Sequence, residues 1–286
     1  MNQPLAAPAV KTSLQEVSDS LLSKYAALIY EVTGIRISPQ KKALLSNRLR
    51  RRLRATGIAD FEAYYKHLKS IDVRHDEWDH FLQEITTHET YLFRDESNWT
   101  WFQNEFLPGI AAEAEAGQRQ RSLRIWSAAC STGDEAYTAA SCIVAKLPGY
   151  QRWNVKILGT DIGVGAVAHA KNAEFGARAM RLTPADIQQK CFEKKAGELW
   201  KPKAPLTQLV EFQQHNLLAP LRHPPFDLVF LKNVLIYFDN DSKRVVIDNI
   251  RKMLRPGGLL VAGAAEGVAD LLKDFQRIQP WLFQMQ

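Results

Sequence analysis

With 286 residues, 46% of them hydrophobic and 24% charged, the chain has the make-up of one large or two smaller globular domains, not of a disordered tail, a collagen or a coiled-coil rod. It has no run of 18 apolar residues, no secretory leader at Met1–Val10, and three cysteines (Cys130, Cys142, Cys191) without CxxC or Cys/His spacing; no membrane span, disulfide framework or metal site is expected, and a reducing cytoplasm is the expected location. The net charge of +6 is concentrated: Val32–Ala59 holds eight basic residues and no acid, so an anionic partner is expected to meet the chain there.

Residues 1–12 read as a flexible tail rich in Pro and Ala. Ser13-Leu14-Gln15-Glu16 has capping-box spacing, and the apolar positions from Leu14 to Val32 then recur with helical period up to Gly34. Ser38-Pro39 starts a second helix that runs to Gly57, with Leu45, Leu49 and Leu53 on one side and Arg48, Arg51 and Arg52 as a basic ridge on another. Two more helices are expected at Asp60–Lys69 and Asp76–Ile85. Residues 13–88 are therefore expected to form a small all-helical domain, followed by a linker at 89–122 with a helix at Asp95–Phe106 and a surface connection at 111–122.

Beyond residue 122 the texture changes. Strands are expected at Leu123–Ala129, Val155–Asp161, Leu209–Phe212, Phe226–Leu231 and Gly258–Ala262, with helices at Asp134–Lys146, Gly163–Asn172 and Asp241–Leu254 between them. This alternation predicts an α/β domain over 123–286, a doubly wound, mostly parallel sheet covered on both faces, closed by a terminal hairpin at Phe275–Gln286.

Ligands of such sheets bind at the C-terminal strand ends. The first strand runs into Ala128-Ala-Cys-Ser-Thr-Gly-Asp-Glu135, a small-residue loop that is neither GxGxxG nor a P-loop and has no lysine. Its two acids suit a cationic or amino-bearing ligand, although a helix N-terminus also favours acids for its own sake. Asp161, ending the second strand, suits a ribose diol or, equally, caps the next helix. Asn216 follows the third strand, where an amide could read an adenine edge, and Lys232-Asn-Val-Leu-Ile-Tyr-Phe238 follows the fourth. His223-Pro-Pro-Phe226 faintly suggests the motif of nucleic-acid amino methyltransferases, but it precedes the fourth strand and lacks the Asn or Asp, so it is a turn.

Thr86-Thr-His-Glu-Thr-Tyr-Leu-Phe-Arg94, Trp126–Tyr137 and Lys232–Phe238, in that order, resemble the CheR family of S-adenosylmethionine-dependent methyltransferases, as does the basic helix Lys41–Arg54. The resemblance implies a Rossmann-like methyltransferase domain, S-adenosylmethionine as methyl donor with S-adenosylhomocysteine as product, and glutamates of methyl-accepting chemotaxis receptors as substrate. It implies cofactor contacts at His88, Thr90, Arg94, Glu135, Asp161, Asn216, Leu217, Asn233 and Val234. It makes Arg94 and Tyr237 the groups that orient the substrate, and Arg48, Arg51 and Arg52 the docking set. His88 stands where the family commonly has Asn, and Leu231-Lys232 where it usually has Cys-Arg. Some members carry a β-subdomain before the third strand that captures a pentapeptide at the receptor's C-terminus. The matching insertion here, 190–212, is short, has Gly197 as its only glycine, and contains Pro202 and Pro205. No pentapeptide tether, nucleic-acid partner or membrane insertion is expected, and the protein is expected to act as a monomer.

Overall fold

The computed structural model describes residues 16–263 and 266–286. Ser13–Gln15 of the expected capping box, and the expected tail at 1–12, lie outside them. The first described helix, α1 (Asp19–Thr33), is capped by Ser18, whose Oγ accepts the Leu21 N–H at 3.2 Å. Gly34 ends it in the left-handed region at φ 71°, where a glycine carries no Cβ penalty. A short 3-10 turn at Pro39–Lys41 leads into α2 (Lys42–Thr56), followed by α3 (Phe61–Ser70) and α4 (Asp76–Ile85). The chain divides into two compact units at Thr87/His88. The core of the first is Tyr25, Ile29, Leu49, Tyr64 and Phe81, all fully buried, with Tyr64 and Trp78 meeting Phe81 edge-on at 6.1 and 5.6 Å.

The basic ridge of α2 is engaged inside its own unit. Arg52 grips Glu77 of α4 with two bonds, Nε to Oε1 at 3.0 Å and Nη2 to Oε2 at 2.7 Å, and the Tyr64 hydroxyl donates to the same carboxylate. Arg48 donates to the Ile85 carbonyl and to Thr87 Oγ1, and Arg51 pairs with Glu84. Of the three, only Arg51 is exposed.

In the second unit, the front part of the expected linker is built into the core, while most of residues 111–122 are exposed. Leu92, Phe93, Trp99, Phe102, Phe106, Leu107 and Ile110 all lie in the hydrophobic core. Helix α5 (Glu96–Trp101) passes through a π turn at Phe102–Phe106 into α6 (Leu107–Glu115), so the helix extends well beyond Phe106 into the stretch expected to be a connection. Pro108 has no N–H to continue the ladder, and the π turn absorbs the change: the Leu107 N–H reaches back to Phe102 O.

The sheet has seven strands: β1 (Ser122–Ala128), β2 (Asn154–Asp161), β5 (Val210–Gln214), β6 (Phe226–Leu231), β7 (Leu254–Ala262), β8 (Phe275–Gln279) and β9 (Leu282–Met285), in the order β5-β2-β1-β6-β7-β9-β8. The first five are parallel; β9 and β8 form the expected antiparallel hairpin at one edge. Helices α7 (Asp134–Lys146), α8 (Val164–Asn172) and α12 (Asn240–Met253) connect strands. Strand side chains alternate between two cores, Leu228 and Phe230 in one, Val229 and Leu231 in the other, as a sheet buried on both faces requires. β7 begins at Leu254, not Gly258: its pairing with β6 jumps from Leu254 to Leu259, so Arg255–Gly258 bulge out.

The 190–212 insertion holds the end of α10 (Ala185–Cys191), a two-stranded antiparallel sheet of β3 (Phe192–Lys195) and β4 (Leu199–Pro202), and a one-turn helix α11 (Ala204–Thr207). A further turn of helix, α9 (Ala177–Met180), precedes it. Among the described residues no helix is long and apolar enough to cross a membrane.

Candidate active site at the C-terminal strand ends

β1 is flanked by β2 on one side and β6 on the other, so the strand order reverses between β1 and β6 and a crevice opens at their C-terminal ends. The chain leaves β1 through a tight loop in which Ala129, Ser131 and Gly133 all take left-handed φ, at 61°, 52° and 88°. Side-chain-bearing residues adopt that region only where their surroundings enforce it. Gly133 must be glycine twice over: a Cβ there would lie 2.9 Å from the Ala170 Cβ.

What enforces the loop is Asp161. Its Oδ2 accepts the Ser131 N–H at 2.8 Å and its Oδ1 accepts the Gly163 N–H at 2.9 Å. Gly163, not Asp161, is the N-cap residue of α8. His88 Nδ1 stands 3.6 Å from Asp161 Oδ1, and the His88 carbonyl accepts the Ser131 hydroxyl at 3.0 Å. His88, Ser131 and Asp161, from three distant stretches of sequence, thus form one cluster. β5 is two residues longer at its C-terminal end than expected, and the His215 N–H closes it onto Asp161 O at 2.9 Å.

Glu135, in the first turn of α7, accepts the Ser127 hydroxyl at 2.7 Å on Oε1. Its Oε2 lies 3.5 Å from Lys232 Nζ, which also reaches Asp95 Oδ2 at 3.1 Å and the Arg94 carbonyl at 3.3 Å and lies over the Trp99 ring. The Lys232 side chain is 3% exposed, a buried cation satisfied by two carboxylates and a carbonyl. The Arg94 guanidinium is held by the Glu89 carbonyl at 2.9 Å, on a segment pinned by the Leu92 N–H to Ala179 O and the Phe93 N–H to Thr138 Oγ1. Thr90 lies half-buried on that segment, and the Tyr91 ring beside it carries the Arg181 guanidinium at 3.4 Å.

Past β6, Asn233 turns left-handed at φ 58° and the loop tightens into one 3-10 turn, Leu235–Tyr237. Beneath it lies Glu266, 1% exposed, whose Oε1 accepts the Val234 N–H at 3.3 Å. Burial pushes this carboxyl up from its ordinary range, and the amides of Asn233 to Ile236 only partly oppose that. A carboxyl raised in the folded state favours folding most below the ordinary glutamate value, and that advantage falls as pH rises through the raised value. Glu266→Gln is therefore expected to flatten thermal stability between pH 4 and 8; melting curves that shift in parallel with the parent over that range would refute it. After β5, Asn216 closes its own turn, Oδ1 accepting the Leu218 N–H at 3.1 Å, while buried Leu217 offers its carbonyl to Asn249 at 2.9 Å. Asn216 and Tyr237 stand at the same edge of the sheet as Asp161, each at the mouth of a different strand.

The chemistry of the crevice fits S-adenosylmethionine. Asp161 spends one lone pair of each oxygen on an amide and keeps another on each, as a vicinal diol would need. The loop after β1 is flanked by Glu135 and Asp161 and itself holds no lysine; Lys232 offsets part of the Glu135 charge, and the remaining acidic field suits a sulfonium or ammonium rather than a phosphate. Cys130, beneath it, registers that field: burial first, then Asp161 and Glu135, push its thiol well above the usual range.

Residues 88–281 match the CheR methyltransferase SAM binding domain, and residues 21–86 match the CheR methyltransferase all-alpha domain. The chain belongs to the CheR methyltransferase family. It is 32% identical over 267 residues to the chemotaxis protein methyltransferase of Salmonella typhimurium, covering 91% of this chain and 88% of that protein. With chemotaxis protein methyltransferase 2 of Pseudomonas aeruginosa it shares 34% identity over 243 residues, 83% of each chain. It is an S-adenosylmethionine-dependent methyltransferase, and its sheet and helical N-terminal unit are those the sequence led one to expect.

Two residues of this CheR-family site escaped the sequence reading. Lys232 was visible only as a change from the usual arginine, although a lysine directly after six buried strand residues is itself a signal of a buried, paired charge. Glu266 carried no signal, because its role is set by backbone amides of Asn233 to Ile236, far earlier in the chain.

Proposed function

We propose that this methyltransferase esterifies glutamate side chains of chemotaxis receptors, in sensory adaptation. The observation that carries the reading is the match of both family domains, in order, together with relatives named chemotaxis protein methyltransferases. When bound, S-adenosylmethionine supplies a methyl group on an electrophilic sulfonium. The protein's part is to bind, align and dry. Asp161 would take the ribose hydroxyls, with His88 beside it. Glu135 would take the amino end, Asn216, Leu217, Asn233 and Val234 would surround the adenine and methionine portions, and Thr90 would complete the wall. Arg94, its backbone fixed by Lys232, would hold the substrate carboxylate in its planar fork, and Tyr237 would donate one hydrogen bond.

A glutamate, with a reference pKa of about 4.3, is already an anion at neutral pH, so alignment and exclusion of water suffice and no general base is needed. Turnover is accordingly expected to show no base ionisation between pH 6 and 8. A single ionisation near 6.5–7 in turnover, absent from cofactor binding, would implicate His88 and overturn this mechanism. The assignment itself is tested by transfer of radiolabelled methyl from S-adenosylmethionine to receptor-bearing membranes. Base-labile label on the receptor is expected; label on nucleic acid, or none, would refute it.

Receptor docking would fall to the solvent-facing cations of α2. Arg54 is exposed, and so is Arg51 although paired with Glu84, whereas Arg48 is tied to Ile85 and Thr87 and Arg52 to Glu77. A pentapeptide tether is not part of the proposal. β4 is paired to β3 on one side, and on the other Trp200 exchanges two backbone bonds with Phe175, at 2.8 and 2.9 Å, which occupies that edge against an added strand. Titrating a peptide that ends in the Trp-containing receptor tail is expected to give no heat; micromolar binding would overturn this part.

A further inference from the structure

The far end of the same sheet holds a second concavity. Its lining comes from the N-terminal ends of β1, β2, β6 and β7 and from the segment joining α6 to β1, and it encloses about 340 Å³. It lies a full length of β1 away from the crevice, roughly 20 Å at 3.3 Å per residue. Four arginines line it, Arg119, Arg121, Arg124 and Arg255, against one carboxylate, Asp227.

That carboxylate is engaged on both oxygens. Asp227 Oδ1 accepts Arg119 Nη2 at 2.9 Å and Arg255 Nε at 2.7 Å, and Oδ2 accepts the Arg124 backbone N–H at 2.7 Å. Arg119 is 9% exposed and largely committed, its Nη1 lying 3.4 Å from Glu113 Oε2 and its Nη2 also donating to the Ser122 carbonyl at 2.8 Å; only its Nε has no partner among the described residues. The guanidiniums of Arg121 and Arg124 have neither an ion pair nor a hydrogen bond among the described residues. Arg124 is conspicuous for its place in the chain: itself half-buried, it sits in an interior strand of the sheet, between fully buried Leu123 and Ile125. A charged residue in such a strand is rare unless something pairs with it.

We propose that this concavity binds a phosphate ester of sugar-phosphate size. Planar guanidinium forks favour a dianion with several acceptor oxygens over a single carboxylate. The remaining wall is Gln120, Ser122 and Asn154, hydroxyl-pairing groups, with Pro225 the one apolar member and no aromatic ring to stack a base. The volume is at the small end of the range of ligand pockets, about 300–1,000 Å³. The site is separate from the cofactor crevice, so both would be filled together.

The test is calorimetry at low salt with the crevice first saturated with S-adenosylhomocysteine, using ribose 5-phosphate, inorganic phosphate and ribose as probes. Ribose 5-phosphate is expected to bind saturably, more tightly than inorganic phosphate, with no heat from ribose. The double variant Arg121→Gln/Arg124→Gln is expected to weaken it by about tenfold or more, as loss of charge-assisted bonds implies, with S-adenosylhomocysteine affinity and melting unchanged. Arg121→Gln alone, a surface change, gives a second reading of the same loss should the strand variant fold poorly. Absence of saturable binding, or binding that both variants retain, overturns the site; inorganic phosphate binding as tightly as the ester overturns the sugar assignment.

Discussion

Arg52→Ala is expected to destabilise the helical N-terminal unit by about 3–5 kcal/mol, the usual cost of leaving one member of a buried ion pair behind. The Arg52 and Glu77 side chains are only 13% and 9% exposed, and the truncation would leave Glu77 with the Tyr64 hydroxyl as its remaining side-chain donor. Burial alone would push the Glu77 carboxyl up, but the hydrogen bonds from Arg52 and Tyr64 outweigh it and hold the carboxyl below its ordinary range. A carboxyl lowered in the folded state stabilises above its unfolded value, and that contribution is lost as pH falls through the lowered one. The deficit of the variant should therefore be largest near neutrality and shrink in acid. Denaturant melts at pH 7 and at pH 4 decide it: a deficit under about 1 kcal/mol, the worth of a surface pair, would return Arg52 to the exposed docking set.

Asp161→Ala is expected to weaken S-adenosylhomocysteine binding by roughly 10- to 100-fold, since hydrogen bonds to a charged group are worth about 1.5–3 kcal/mol. The loss is more than the ribose contact, because the Ser131 and Gly163 amides lose their acceptor and the left-handed loop keeps only the Ser131 hydroxyl bond to His88 and its own backbone bonds. Asp161→Asn keeps the size and one acceptor oxygen, and should fall between the two. An unchanged dissociation constant in the alanine variant would remove Asp161 from the cofactor site.

The parallel sheet was legible because its strands are short apolar runs separated by helical stretches; β6, with six buried residues in succession, is the clearest. Asp161 and Glu135 were legible as acids at strand and helix ends, positions that topology brings to one edge. Tertiary pairing was not. Arg48 and Arg52 read as part of a solvated ridge, and no periodicity announces that Glu77, 25 residues on, reaches back for Arg52. The α5–α6 helix was cut short because Ala, Glu and Gly around residues 111–117 look like a surface turn, while its packing is set by Leu107 and Ile110 one turn earlier. The start of β7 was hidden by Pro256 and Gly257, which read as a helix stop although the strand passes through them as a bulge.

Lys232 joins Asp95 and the Arg94 carbonyl to Glu135, three stretches of chain separated by roughly 40 and 100 residues. A chain emerging from the ribosome has both carboxylates and the arginine in place long before the ammonium that links them is made. The first units of secondary structure are local, but the crevice is a high-contact-order assembly that closes only when β6 inserts beside β1. Fragments ending before residue 232 retain the whole small-residue loop and Asp161 and still lack the tie that fixes Arg94. Competence for methyl transfer is thus a late event in the life of the nascent chain, set by the arrival of the fourth parallel strand.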